Sequence, residues 1–224
     1  MQVLGAMSAT LSDAADVVAL LVLLSEFAML RSSLSRSQVR LYAFQSFCVS
    51  VLAGLVAATR HIGELYGLMG LSLVLKVIIV PVIILRLVRE VRVEVTAAHR
   101  LGVATMVLGA IVLSVFGMFV VRRLPVHSRS LPVLALALAV AVILVAFLLV
   151  IVRNDVVSQA IGFFSLENGV SLSILVLAAG LPLIVEVAFL FDLLVAVVVF
   201  ALLMRVHHGH TSTLSTRALD RLRG

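Results

Sequence analysis

Two runs of the chain leave little choice of environment. Leu101–Val121 is a 21-residue stretch without a charged side chain, and Ser130–Val152 is a second such stretch of 23 residues. A helix crossing a bilayer needs roughly 20 apolar residues. Between Asp155 and Arg205 only Glu167, Glu186 and Asp192 are charged, over a length that fits two crossings with Gly180-Leu181-Pro182 as the turn. Composition agrees: 63% of the 224 residues are hydrophobic and 12% are charged. A soluble domain carries about 25% charged residues, so a water-soluble globular enzyme is excluded, as is a disordered chain. The apolar runs are continuous and do not alternate, which excludes a transmembrane barrel.

The predicted fold is an all-α integral membrane bundle of about seven transmembrane helices, forming a single membrane domain over 1–224. The spans are Ala14–Leu30, Leu41–Thr59, Tyr66–Val88, Leu101–Val121, Leu131–Val152, Val156–Ala179 and Leu181–Met204, followed by a short cytoplasmic tail, 207–224. Asp16 and Glu26 make the first span the most polar, and it is read as retained because it lacks the basic start and cleavage site of a signal peptide. Tyr42-Ala43-Phe44-Gln45-Ser46-Phe47 lies over Ile161-Gly162-Phe163-Phe164-Ser165-Leu166, and Leu75–Val80 over Phe191–Ala196. That suggests a duplicated three-helix unit, 14–90 and 131–206, of a kind frequent in transporters.

Orientation follows from the cations outside the spans. One side would hold Arg31, Arg36, Arg40, Arg86, Arg89, Arg92, Arg100, Arg153, Arg205, Arg217, Arg221 and Arg223; the other only Arg60, Arg122, Arg123 and Arg129. The richer side belongs in the cytoplasm, with the N-terminus outside and the C-terminus inside. The formal charge of +6 is then a topology signal and an attraction to anionic lipid, not a nucleic-acid footprint.

Redox chemistry within the chain is not expected. Cys48 is the single cysteine, and His61, His99, His127, His207, His208 and His210 all fall at or beyond helix ends, so no iron–sulfur, haem or metal ligand set is legible and no cofactor is expected.

The informative residues are charges inside apolar spans, each costing roughly 2.5–3.5 kcal/mol on insertion scales. Lys76, Glu167 and Asp192 fall near the middle of their spans; Glu186 lies nearer the outer face and Glu26 near a helix end, where either could reach the interface. Two readings stand: a buried ion pair that locks helices, or stations of a proton or ion path. Pro81, five residues after Lys76, removes a helical hydrogen bond and favours a kink. Gly162 and Gly169 allow close approach to the turn that carries Glu167, and Pro182 opens the last span.

These residues carry a resemblance. Gly162-Phe163-Phe164-Ser165-Leu166-Glu167-Asn168-Gly169 resembles the GFxxxENG element of the hydrogenase-4 membrane component E family, and so do Pro182–Val187 with Phe191-Asp192. Tyr42-Ala43-Phe44-Gln45-Ser46 and Lys76–Pro81 are similar to two further elements, with Leu75 where the family has threonine. The resemblance covers almost the whole chain. It implies a small membrane-arm subunit of a group 4 nickel–iron hydrogenase of the formate hydrogenlyase type. The implied partners are antiporter-like and anchor subunits in the membrane and, indirectly, soluble nickel–iron and iron–sulfur subunits. It also implies distant similarity to the K subunit of complex I and the C subunit of Mrp-type antiporters, whose carboxylates lie on a lateral proton path. In the K subunit the glutamate follows its glycine more closely than Glu167 follows Gly162. A subunit of a monovalent cation/proton antiporter is the alternative.

Overall fold

The computed structural model of the chain describes residues 2–32, 35–61, 63–90, 102–123 and 132–178. Over these it is helical: α1 (Gln2–Arg31), α2 (Ser35–Arg60), α3 (Gly63–Ser72), a π-helical segment (Leu73–Ile79), α4 (Val80–Glu90), α5 (Val103–Arg123), α6 (Val133–Val152) and α7 (Val156–Ala178). Five stretches are long and apolar enough to cross a membrane: Ser35–Arg60, Leu65–Arg86, Val103–Arg123, Val133–Val152 and Val156–Leu177. α1 is not among them; it carries Asp13, Asp16 and Glu26 and packs within the bundle against α2 and α6. The expected last span, Leu181–Met204, lies outside the described residues, and with it the last helix of the expected second repeat.

Two helices differ from expectation. α2 begins six residues before Leu41, because Gln38 turns inward while Arg36 and Arg40 stay exposed. The third span is not one α-helix kinked at Pro81. It widens into a seven-residue π-helix whose end is marked by the Val80 N–H bonding Leu75 O, five residues back. Pro81 has no N–H to continue the ladder and its ring crowds the carbonyl four residues earlier. The wider turn relieves that crowding and re-phases the helix, which brings Lys76 into the interior.

α6 is the centre of the bundle. Ala135, Ala137, Ala139, Ala141 and Ala146 are buried on it and let its neighbours approach closely. On α5, a Cβ added at Gly117 would stand 3.3 Å from the Ala141 backbone nitrogen. On α7, added Cβ atoms at Gly162 and Gly169 would stand 3.2 Å from the Val150 and Ile143 nitrogens. Gly162 and Gly169 therefore face α6, the side of α7 opposite to solvent and lipid. Asp16 sits against the first turn of α6, where the Ala135 N–H faces its carboxylate.

One end of the bundle is closed by a polar junction. Arg153, which follows α6, is fully buried, and its Nη2 donates to the carbonyls of Met29 (2.8 Å), Leu30 (2.8 Å) and Ser32 (2.7 Å). A cation thus sits on the orphan carbonyls of the α1 C-terminus, where the helix dipole favours it. Gln38 Nε2 reaches the Met29 and Ser32 carbonyls as well, and its Oε1 accepts from Ser158. Asp155 Oδ1 accepts the Ser158 N–H at 2.7 Å and caps α7. Burial pushes the Asp155 carboxyl above its ordinary value, against the opposing pull of the Ser158 hydrogen bonds and of Arg153. The first and fifth expected loops therefore meet at one end of the bundle. Arg153, expected to mark a loop facing the cytoplasm, is instead an interior clamp.

Candidate functional site: a buried polar chain between helices

The heart of the site is an ion pair. Lys76 Nζ stands 2.6 Å from Glu167 Oε1, with both side chains almost wholly enclosed. The same ammonium donates to Asn168 Oδ1 at 3.4 Å and Ser171 Oγ at 3.3 Å. An ammonium has three N–H donors, and here three acceptors surround it.

From Lys76 a continuous run of hydrogen bonds leads away through α2 and α7 to α1. Asn168 Nδ2 donates to Ser46 Oγ (2.8 Å) and to Gln45 Oε1 (3.1 Å). Gln45 Oε1 also accepts from Ser165 Oγ at 2.7 Å, and Gln45 Nε2 donates to Val22 O at 3.2 Å and Glu26 Oε1 at 3.3 Å. Ser165 Oγ is in direct hydrogen-bond contact with Glu26 Oε1. Glu26 is fully buried, and its second oxygen, Oε2, has no hydrogen-bond partner among the described residues.

Helical phase explains why these residues meet. On α7, Ser165, Asn168 and Ser171 recur at three-residue intervals, about 4.5 Å apart along the axis, so they form one polar stripe. On α2, Gln38, Tyr42, Gln45, Val49, Leu52 and Val56 form the buried stripe, and Gln45 is its polar member at mid-helix. On α1 the buried positions Ala15, Ala19, Val22, Met29 and Leu30 bracket Glu26, which occupies a core position of that stripe. Tyr42 and Phe164 pack ring against ring beside the chain, centroids 5.9 Å apart, and screen it on one side.

Of the residues singled out from sequence, the structure brings together Lys76, Glu167 and Glu26. Lys76 and Glu167 touch directly; Glu26 joins them through Ser165, Gln45 and Asn168. Glu26 does not reach a membrane interface, because the stripe of α1 turns it into the bundle. Pro81 is buried directly after the π-helix that carries Lys76. Glu186, Asp192 and Pro182 lie outside the described residues. Gln45, Ser46, Ser165, Asn168 and Ser171 complete the site and were not singled out as functional. The signal for them is phase: each is a polar residue on the buried stripe of an otherwise apolar helix.

Chemically the arrangement sets two carboxyl groups and an ammonium in an enclosed setting where bare charge is costly. Among the described residues no group of three or more His, Cys, Asp and Glu side chains is placed to hold a metal ion.

No family model and no solved structure matches the chain. Curated proteins do. An uncharacterized protein of Mycobacterium tuberculosis is 30% identical over 185 residues, 82% of this chain and 83% of its own length. Hydrogenase-4 component E of Escherichia coli K12 is 28% identical over 185 residues, 82% of this chain and 85% of its own, and the Shigella flexneri protein of that name matches equally. The chain belongs to the family of this mycobacterial protein, and hydrogenase-4 component E is a more distant relative.

Proposed function

We propose that the chain is a membrane-arm subunit of a hydrogenase complex of the hydrogenase-4 or formate hydrogenlyase type, and that its buried polar chain takes part in moving protons or another cation. The observation that carries this reading is the Lys76–Glu167 pair, 2.6 Å apart inside membrane-spanning helices and linked by hydrogen bonds to a third ionisable group, Glu26. Ion pairs that only lock helices need no such extension. Charge arriving at one station would shift proton affinity at the next through a low-dielectric interior. Glu186 and Asp192 are proposed as further stations. The redox chemistry would belong to partner subunits, with antiporter-like and anchor subunits as membrane neighbours. The setting would be the inner membrane of a prokaryote, N-terminus outside and C-terminus in the cytoplasm.

The test is pumping. Glu167→Gln and Asp192→Asn keep shape and hydrogen bonding and cannot titrate. Each is expected to leave complex assembly near normal and to abolish the pH gradient formed in vesicles during hydrogen turnover. An unchanged gradient in both would end the ion-path reading. A scaffold role is the second reading, and one observation favours it: Lys76 is surrounded by three acceptors, the geometry of a finished lock. It predicts lost assembly with unchanged pumping per assembled complex.

A further inference from the structure

Five acidic or basic side chains are enclosed among the described residues: Glu26, Lys76, Arg153, Asp155 and Glu167. Four of them balance. Lys76 pairs with Glu167, and Arg153 attracts Asp155 across the α6–α7 connection. Glu26 is the odd carboxyl. α2 presents Gln45 to it and α7 presents Ser165. α6 carries no ionisable residue between Val133 and Val152. Lys76 is directed at Glu167, Asn168 and Ser171, while Arg153 Nη2 is directed at the α1 carbonyls. Among the described residues no cation faces it, so an ionised carboxylate in that position would be a buried charge without a counter-ion there, a strongly disfavoured state.

The hydrogen bonds fix how the amides between Lys76 and Glu26 are turned. An ammonium only donates, so Lys76 obliges Asn168 to present Oδ1 to it. Asn168 Nδ2 must then point at Gln45, which therefore presents Oε1, while Gln45 Nε2 points at Val22 O. Turning Gln45 over would set donor against donor at Asn168 and acceptor against acceptor at Val22. Ser165 has a single proton and stands within reach of both Gln45 Oε1 and Glu26 Oε1. Among the described residues Glu26 Oε1 is met by this hydroxyl and by the Gln45 amide, and Oε2 has no hydrogen-bond partner. Neither group carries a charge, so neutrality at this buried position requires a proton on Glu26 itself.

We infer that Glu26 is a proton-binding site that is filled at rest, so that the ion held at the α1 end of the chain is H+. Lys76 sets the orientation of the chain from the far end through two amides that do not titrate. Gln45 and Asn168 are thus positioning residues: they transmit orientation and charge but hold no exchangeable acid. The inference names the ion of the path proposed above and rests on that reading for its functional meaning. Its test is independent of pumping.

The test is infrared difference spectroscopy on the full chain in lipid vesicles at neutral pH. Wild type minus Glu26→Gln is expected to show a carboxylic-acid C=O stretch, unmoved by replacing potassium with sodium in the buffer. Ser165→Ala removes a hydrogen-bond partner of the acid and is expected to shift that band to higher frequency without removing it. The Ser165→Ala spectrum decides the matter even if Glu26→Gln does not fold. Absence of the band in wild type means that Glu26 is ionised and overturns the inference. Loss of the band on adding sodium means that the site takes a metal cation and overturns it equally. A sodium-insensitive band beside unchanged pumping in the neutral variants would refute the ion path while leaving the proton assignment intact.

Discussion

Lys76 and Glu167 lie on different helices and meet at 2.6 Å in the interior of the bundle, Lys76 on a π-helical turn and Glu167 on α7. The pairing is set by phase. An α-helical register through Leu73–Ile79 would rotate the lysine about its own axis, whereas the wide turn ahead of Pro81 delivers the ammonium to the α7 stripe. Asp192, the other carboxylate expected near mid-span, lies outside the described residues.

The pair makes a stability prediction. Lys76→Met strands Glu167 and is expected to cost about 3–5 kcal/mol. Lys76→Met with Glu167→Leu removes both charges and should recover most of that loss. The measurement is folded yield and thermal unfolding in mild detergent. A double variant as unstable as the single one would show that Glu167 is not the principal partner of Lys76.

Close packing of α6 on α7 makes a second. Gly169→Val places a Cβ 3.2 Å from the Ile143 backbone nitrogen and adds two methyl groups beyond it. Overpacking of this kind costs about 1–3 kcal/mol. Gly67, with nothing within 4 Å of an added Cβ, should tolerate Gly67→Ala with little change. Equal melting temperatures for Gly169→Val and wild type would contradict the interface described here.

Arg153 makes a third. Arg153→Met withdraws a donor from the Met29, Leu30 and Ser32 carbonyls and leaves Asp155 without its cation. The expected loss is about 3–5 kcal/mol, with the α1–α2 connection opened first. Hydrogen exchange over residues 28–40 reads it directly: faster exchange there than in α5 is expected, and uniform exchange would show that Arg153 does not clamp that end.

Orientation makes a fourth. Reporter fusions at Gly224 should report the cytoplasm, as the arginine distribution requires. A fusion active only outside would reverse the assignment. It would not alter the shared end on which Arg153 and the α1 C-terminus meet.

What the sequence by itself determined is one-dimensional. Uninterrupted apolar runs such as Leu101–Val121 commit the chain to helices in a bilayer, because only there are backbone groups satisfied without water. Lys76 and Glu167 stand so far from the ends of their spans that burial followed from counting alone. Tertiary structure decided whatever depends on rotation about a helix axis and on which helix lies opposite. Glu26, close enough to a helix end to reach water, is turned inward by the stripe from Ala15 to Leu30. Arg153, between two spans and legible as a loop cation, is drawn inside by the orphan carbonyls of α1. Pro81 announced a break, but that the break takes the form of a π-turn, and that this turn delivers Lys76 to Glu167, Asn168 and Ser171 on α7, is seen only in the packed bundle. Hydropathy measures how deep a residue lies; which way it points and what it meets are set only when the helices pack.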